Sequence, residues 1–572
     1  MKILRLLQNI YKLFPAKFKN QSLFFVVLLI FGAVLETLGI GIIFPVIDFL
    51  IKGEISRNFF GVNLEKISLY FDSQITIKGL ILFIIFLYLF KTIFLILFNY
   101  WQIKFSQNTF KHLTFKLFNK YLFSPISFYY KRNTSILLRN TLYESRNYGN
   151  CVNLILKLIA ELLIVLFIFS LLVYVEPKAT FIITSILLTF IALFYFATSK
   201  KIYKLGELKL DSQGKLLKII SESFNGIRDI KLKAAQYFFF NMHKRQLDKF
   251  VKASNYQQAF SESPRILFEF ILIFLLFTLL YFYLNLNKDV LNLLPLLSIY
   301  LLSALKLIPS IMRILSILQT IKGLEPSIIM LNNEFNNNEN LNINLKLQDL
   351  SSNKFSFNDK IEFKNVSFSY DNKNKIINDF SKVIHKNKMI GISGKSGSGK
   401  STIIDLLTGL ITPNSGNILI DGKIDINDSF LLDWQNKIGY VSQSVFLLDA
   451  SIRENIAFGI ENDNIDNSKV TKVLKEAQLN DYISKLEKGL DAIVGERGTK
   501  LSGGQIQRIG IARELYREPE LIIFDESTSA LDLDTEDEIL ECIKGLKKKM
   551  TIIIVSHRKN TLKYCDEIFK LS

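Results

Sequence analysis

The chain has 572 residues, 49% of them hydrophobic, and a formal charge of +18. That length exceeds one ordinary domain, and three cysteines (Cys151, Cys542, Cys565) without a Cys-x-x-Cys pair or histidines at ligand spacing exclude a disulfide framework and a zinc site. Residues up to 330 hold 38 Lys and Arg against 17 Asp and Glu, and this basic half is also the apolar half, so a membrane explains the charge better than nucleic acid does.

Met1 to Asn20 mixes Lys2, Arg5, Lys12, Lys17 and Lys19 with Ile3, Leu4, Leu7, Ile10, Leu13 and Phe14. It lacks a long apolar core and a small-residue cleavage site, so it reads as a helix on the inner membrane surface and not as a secretory signal. Six apolar runs follow, roughly Leu23–Ile51, Leu80–Tyr100, Leu154–Val175, Ala179–Thr198, Ile266–Leu284 and Leu291–Leu318. Each is long enough to span a bilayer. Pro45, Pro295 and Pro309 lie in the first and last runs and predict kinks there.

The connections set the orientation. Residues 101–149 and 199–265 are long, rich in Lys and Arg, and patterned as helices, whereas the links after the first, third and fifth runs are shorter and near charge balance. Positive charge stays inside. Both long connections are then cytoplasmic extensions of the spans, turning near Ser124–Arg132 and Phe224–Lys233, and both termini of the chain are cytoplasmic. The outer segment Lys52 to Gln74 predicts a small amphipathic helix on the outer surface.

Asn332 to Asn358 is polar and Asn-rich, the composition of a linker. From Lys360, short β-like runs alternate with helical ones, which predicts an α/β domain. The expected division is a membrane domain over 1–325, a linker over 326–358 and an α/β domain over 359–572. In the last of these, the apolar strand Met389–Ile392 precedes Gly394-Lys395-Ser396-Gly397-Ser398-Gly399-Lys400-Ser401-Thr402, and a helix follows. Strand, glycine loop and helix form the context of a phosphate-binding loop. The glycines let the backbone aim N–H groups inward, the helix N-terminus adds partial positive charge, Lys400 reaches outer phosphates and Ser401 holds magnesium.

Further stretches match one family. Tyr370 lies ahead of the loop, where an aromatic stacks on adenine. Gln443 follows Gly439-Tyr440-Val441-Ser442, and Leu501-Ser502-Gly503-Gly504-Gln505 opens a helix. Leu521-Ile522-Ile523-Phe524-Asp525-Glu526 is an apolar strand ending in two carboxylates. Ser529-Ala530-Leu531-Asp532 and Val555-Ser556-His557-Arg558 complete the set. An apolar strand delivers Asp525 to hold magnesium through water, and Glu526 beside it is placed to orient or deprotonate an attacking water. Order and spacing resemble those of the ATP-binding cassette (ABC) proteins. The resemblance implies ATP and Mg2+ as cofactors. It also implies a glutamine loop at Gln443 that contacts magnesium and the water, the family signature at Leu501–Gln505, a D-loop at Asp532 and a switch histidine at His557. A membrane domain ahead of the cassette, together with Val494-Gly495-Glu496-Arg497-Gly498, resembles the type IV ABC exporters built as half-transporters. Because one chain carries one phosphate loop and one signature, the resemblance implies a homodimer that sandwiches two ATP molecules. The chain stops at Ser572, soon after the histidine strand, where many relatives continue; this bears on a C-terminal tail and not on the ATP site.

The transported molecule is read from the spans. Charges inside them are costly and face a cavity or a partner. Lys306 and Arg313 share one face of the last span, seven residues apart, with no acid four residues away on their own helix. Arg265 and Glu269, and Lys157 and Glu161, are spaced to pair, while Glu36 sits inside the first span. A cationic stripe on Lys306 and Arg313 suits an anionic head group, and snorkelling to the inner interface is the alternative. Leu35-Glu36-Thr37, Ile43-Phe44-Pro45-Val46-Ile47, Ser263-Pro264-Arg265 and Ala304-Leu305-Lys306-Leu307-Ile308-Pro309-Ser310 resemble bacterial flippases of lipid-linked oligosaccharides. Lys306 stands where that family often has arginine. The resemblance implies a polyprenyl-pyrophosphate glycan, contacts through Lys306, Arg313 and Arg265, and a multi-pass protein of the bacterial inner membrane that meets membrane lipids and no nucleic acid. An exporter of another lipid, a peptide or a hydrophobic drug is the alternative.

Overall fold

The computed structural model describes residues 8–10, 13–14, 24–38, 73–175, 177–285, 294–336, 356–370, 374–427, 430–527, 533–547 and 549–571. They fall into two compact units: the first takes residues 1–124 and 128–341, and the second takes the rest.

The first unit is helical. In chain order the described helices are α1 (Phe24–Leu38), α2 (Ser73–Leu122), α3 (Ile126–Tyr130), α4 (Thr134–Leu138), α5 (Ser145–Val175), α6 (Pro177–Asn225), α7 (Ile227–Leu232), α8 (Gln236–Asn285) and α9 (Leu294–Asn336). A π-helical segment, Arg139–Glu144, joins α4 to α5. The lengths explain the composition. Helix α2 has 50 residues, which at 1.5 Å per residue is about 75 Å, against a hydrocarbon core of about 30 Å. Its apolar run therefore fills part of the helix and the Lys-rich remainder extends beyond. The same holds for α6 and α8. The expected turning points carry the short helices α3 and α7. Among the described residues, three stretches are long and apolar enough to cross a membrane, Ile84–Leu122, Thr134–Tyr174 and Leu307–Asn336.

Helices α8 and α9 run continuously through Pro264, Pro309 and Pro326. Because α9 continues to Asn336, the start of the expected linker is helical. Pro45, residues 52–72 of the outer segment and most of the N-terminal stretch lie outside the described residues. The described part of that stretch packs inward: Ile10 and Leu13 are buried, Tyr148 donates its hydroxyl to the Ile10 carbonyl at 3.0 Å, and Asn332 donates to the Asn9 carbonyl at 3.0 Å.

Two features hold this unit. Glu36 of α1 is paired with Lys91 of α2 at 2.9 Å, with both side chains almost fully covered. The pair satisfies a charge that the first span could not carry alone. Between α6 and α9, Gly206 meets Gly323 so closely that an added Cβ would lie 2.2 Å from the Gly323 carbonyl oxygen. Small residues let helix backbones approach in this way.

The second unit is α/β. Strands β1 (Lys360–Phe368), β2 (Ile377–His385), β4 (Ser415–Ile420) and β5 (Ile424–Asp425) form an antiparallel sheet in the order β2-β1-β4-β5. Strands β3 (Met389–Gly394), β6 (Ile438–Val441), β7 (Leu521–Asp525), β8 (Thr551–Val555) and β9 (Glu567–Leu571) form a parallel sheet in the order β6-β7-β8-β3-β9. Leu521–Phe524 and Ile552–Val555 are buried throughout, as expected of parallel strands covered on both faces. Trp434 belongs to a core cluster that draws on both sheets, fully buried, with its indole N–H on the Leu407 carbonyl at 2.8 Å.

Replacing Gly206 with Val forces α6 and α9 apart. The expected cost is about 1–3 kcal/mol, seen as a lower melting temperature of the full-length protein in detergent; an unchanged melting curve would show that the close approach has no energetic weight.

Candidate functional site

Strands β3, β7 and β8 are parallel neighbours, so their C-terminal ends meet at one edge of the sheet. Asp525 is level with Val555, and Ile392 is level with the same residue. The loop leaving β3, the two acids ending β7 and the histidine after β8 are therefore brought together from positions far apart in sequence. This edge is where ligands bind in open α/β sheets.

The loop turns on Gly397 (φ 82°) and Gly399 (φ 89°), both in the left-handed region that glycine tolerates. Gly399 is the N-cap of α10 (Lys400–Leu407). An added Cβ there would press on Ile377 at 2.6 Å. Lys400 is 7% exposed, and its ammonium donates to the carbonyls of Gly394 and Lys395, each at 3.1 Å. The Ser398 hydroxyl is buried in the loop without a hydrogen-bond partner. Lys395, Ser396, Gly397 and Ser401 are exposed at the mouth, while Thr402 is buried beneath. A buried cation, an orphaned hydroxyl and a glycine backbone around an open mouth fit a phosphate chain.

His557 sits over this loop. Its Nε2 lies 3.0 Å from the Lys400 ammonium and 2.9 Å from Glu526 Oε1. One nitrogen cannot serve both partners at once. As an acceptor it takes a Lys400 proton, and as a donor it gives its own to Glu526. His557 thus bridges Lys400 and Glu526, a link that an anion among them would open. Glu526 is itself held at φ 47°, and its N–H donates to the Val555 carbonyl at 3.0 Å. A non-glycine residue in this conformation is strained, and such strain gathers at functional positions.

Gln443, just past β6, donates from Nε2 to Glu526 Oε2 at 3.5 Å. Asp525 accepts from the Tyr440 hydroxyl at 2.9 Å. Burial pushes the Asp525 carboxyl above its usual range, the neighbouring Glu526 adds to this, and Tyr440 and Lys400 oppose it. Ser401, Gln443 and Asp525 are hard oxygen donors of the type magnesium prefers. Among the described residues no group of three or more His, Cys, Asp or Glu that could hold a metal is found. Tyr370 is 44% exposed and rests edge-on against Phe368 at 4.9 Å. Asp532 lies outside the described residues.

The Leu501–Gln505 stretch has its own logic. Ser502 is the N-cap of α11 (Gly503–Tyr516). Its hydroxyl accepts from the Gln505 N–H at 3.3 Å, and Gln505 Oε1 accepts from the Ser502 N–H at 2.9 Å. This reciprocal capping box leaves Gly503 and Gly504 to present the helix start without side chains. Sequence reasoning passed over two residues nearby. Gln507, buried in α11, donates to the Gln443 carbonyl at 2.8 Å and so ties the signature helix to the glutamine loop. Tyr440 holds Asp525. Its signal was adjacency, because β6 pairs with β7 and puts Tyr440 opposite Ile523.

In the helical unit, Arg313 of α9 contacts both carboxylate oxygens of Glu161 on α5, one of them at 3.1 Å, and also donates to the Ser310 hydroxyl at 3.2 Å. The acid for Arg313 comes from another helix, which spacing along one helix cannot reveal. Glu161 is thereby taken up across the interface. Lys306 lies on α9 and Arg265 on α8.

Comparison with known proteins agrees with this reading. The ABC transporter pattern matches residues 377–529, and the pattern of the ABC transporter transmembrane region matches 22–305. The chain is 41% identical over 212 residues to an ATP-dependent lipid A-core flippase of Photorhabdus laumondii, covering 37% of this chain and 36% of that protein. It is 41% identical over 209 residues to a putative multidrug export ATP-binding/permease protein of Bacillus subtilis, covering 36% of each. These matches thus span about a third of the relatives' length. Over the whole chain, the fold is that of a bacterial Atm1-family ABC exporter solved with ATP bound: TM-score 0.74, 23% identity, 98% of this chain and 94% of that one. The chain belongs to the ABC transporters, with the family's transmembrane region and its ATP-binding cassette fused in one polypeptide.

Proposed function

We propose that this protein is an ATP-driven exporter that works as a homodimer in the bacterial cytoplasmic membrane, with six spans and both termini in the cytoplasm. The observation that carries the reading is the meeting of Lys400, His557 and Glu526 beside a glycine loop with an orphaned hydroxyl.

The chemistry follows from the positions. Phosphoryl transfer to water needs mainly positioning and neutralisation of charge. The loop N–H groups of residues 394–402 and the Lys400 ammonium neutralise the outer phosphates. Ser401, Gln443 and Asp525 would hold a magnesium ion, which when bound supplies further neutralisation at the phosphate oxygens. Glu526 orients and deprotonates the attacking water, with Gln443 holding its second oxygen. His557 leaves Glu526 and Lys400 to contact the γ-phosphate. Tyr370 stacks on adenine. The Leu501–Gln505 segment and Asp532 of a second copy close the site, because one chain carries one phosphate loop and one signature.

For the cargo, the reading is an amphipathic, anionic lipid-linked oligosaccharide moved from the inner to the outer leaflet. The motifs around Glu36, Arg265 and Lys306 support it, and so does the partial likeness to an ATP-dependent lipid A-core flippase. Sugar hydroxyls cannot cross hydrocarbon unpaired, since each costs several kcal/mol on transfer, roughly 4–8 to an alkane. A polar cavity exposed in turn to each side removes that barrier. The Arg313–Glu161 pair favours a second reading. It neutralises one of the two cations, which suits a less anionic lipid, peptide or drug, as the likeness to a multidrug export protein also does.

Glu526→Gln is expected to lower ATP hydrolysis by at least 100-fold while ATP binding persists; near-normal turnover would remove Glu526 as the base. Hydrolysis by wild-type protein in liposomes is expected to rise with polyprenyl-pyrophosphate glycans more than with lipid A or amphipathic drugs. Lys306→Ala combined with Arg313→Ala is expected to abolish that stimulation and leave basal nucleotide binding unchanged, and stimulation by drugs alone would select the second reading.

A further inference from the structure

Tyr440 lies in the stretch that leads to Gln443 but has no role in the sequence reading, yet it makes the one side-chain hydrogen bond to Asp525 seen among the described residues. It is the third residue of β6, whose other residues are buried, and is itself 38% exposed. Two contacts fix its place. Its N–H donates to Glu514 Oε2 on the signature helix α11 at 3.2 Å, and its hydroxyl donates to Asp525 Oδ2 at 2.9 Å.

A carboxylate at the tip of a strand turns freely about its last torsion unless something holds it. Parallel pairing of β6 with β7 sets Tyr440 opposite Ile523, two residues before Asp525. The phenol then spans the remaining distance along the strand. A phenolic O–H on an ionised carboxylate is a charge-assisted bond, shorter and stronger than a neutral one. With Oδ2 so held, the direction in which Oδ1 points is set as well.

We propose that Tyr440 is a positioning residue for the metal site: its hydroxyl pins Oδ2 of Asp525 and so presets the oxygen that meets the hydration shell of magnesium. The proposal rests on the reading of Asp525 as the carboxylate that holds the ion. Partners of this outer kind orient the groups that touch a metal, and their loss weakens metal binding by 10–100-fold in other sites. Tyr440 also joins the signature helix to Asp525 through Glu514. The positioning of the metal carboxylate is therefore anchored to the element expected to meet the second copy's nucleotide.

The test uses full-length protein in detergent and the variants Tyr440→Phe and Asp525→Asn. Mn2+ binding in the presence of ADP is titrated by electron paramagnetic resonance, nucleotide binding is measured in EDTA, and the melting temperature is recorded. For Tyr440→Phe, Mn2+ affinity is expected to fall about tenfold, with metal-free nucleotide binding and the melting temperature unchanged. Asp525→Asn is expected to lose Mn2+ affinity more severely. If Tyr440→Phe keeps Mn2+ affinity within about twofold while Asp525→Asn loses it, the Tyr440 proposal fails and the reading of Asp525 stands. If both variants bind Mn2+ as wild type does, the reading of Asp525 fails and the proposal goes with it. Parallel losses of stability and of metal-free binding in Tyr440→Phe would make its role structural and overturn the proposal.

Discussion

A lysine ammonium taken out of water is the constraint on which the cassette depends. Lys400 is 7% exposed, and a charge so placed is tolerated only when it is paired and hydrogen-bonded. Here two backbone carbonyls and an imidazole satisfy it, and Glu526 stands behind the imidazole. The arrangement is stable, but its parts are better suited to an external anion. The carbonyls carry only partial charge, His557 Nε2 is asked to serve two partners, and the Ser398 hydroxyl has none. A polyphosphate meets each of these needs at once, which is why the geometry reads as a nucleotide site in waiting.

That constraint explains the sheet. The loop, the acids and the histidine must share one edge, and only parallel strands in adjacent order bring the C-terminal ends of β3, β7 and β8 together. Burial on both faces then demands the continuous apolar runs of Leu521–Phe524 and Ile552–Val555. The strained backbone of Glu526 is held in place by its hydrogen bond to Val555. Gln507, Gln443, Tyr440 and Glu514 link the signature helix to the same edge. Movement of that helix would therefore be felt at both acids.

The helical unit solves a different problem. Its long helices are part apolar and part Lys-rich, and among the described residues two acids within the apolar parts are matched by cations of other helices. Glu36 with Lys91 is one such pair, and Glu161 with Arg313 is another. The first is nearly sealed. In the second, half of the arginine side chain remains exposed.

Much of this was legible in the sequence, for physical reasons. Apolar length identifies a transmembrane region, because hydrocarbon penalises charge and unpaired backbone irrespective of tertiary detail. The glycine spacing of Gly394–Ser401, the Ser502–Gln505 capping pattern and the apolar strand before Asp525 are local rules that need only nearby residues. The turning points at α3 and α7 were legible as breaks in helical patterning. What tertiary structure alone decided was pairing. No spacing along one chain shows that Glu161 takes Arg313, that Lys91 reaches Glu36, that Gln507 meets a backbone carbonyl of the glutamine loop, or that Tyr440 holds Asp525. Hydrogen bonds and ion pairs require partners within about 3 Å; which residues come that close is fixed by strand order and helix packing, and neither is written at any single position.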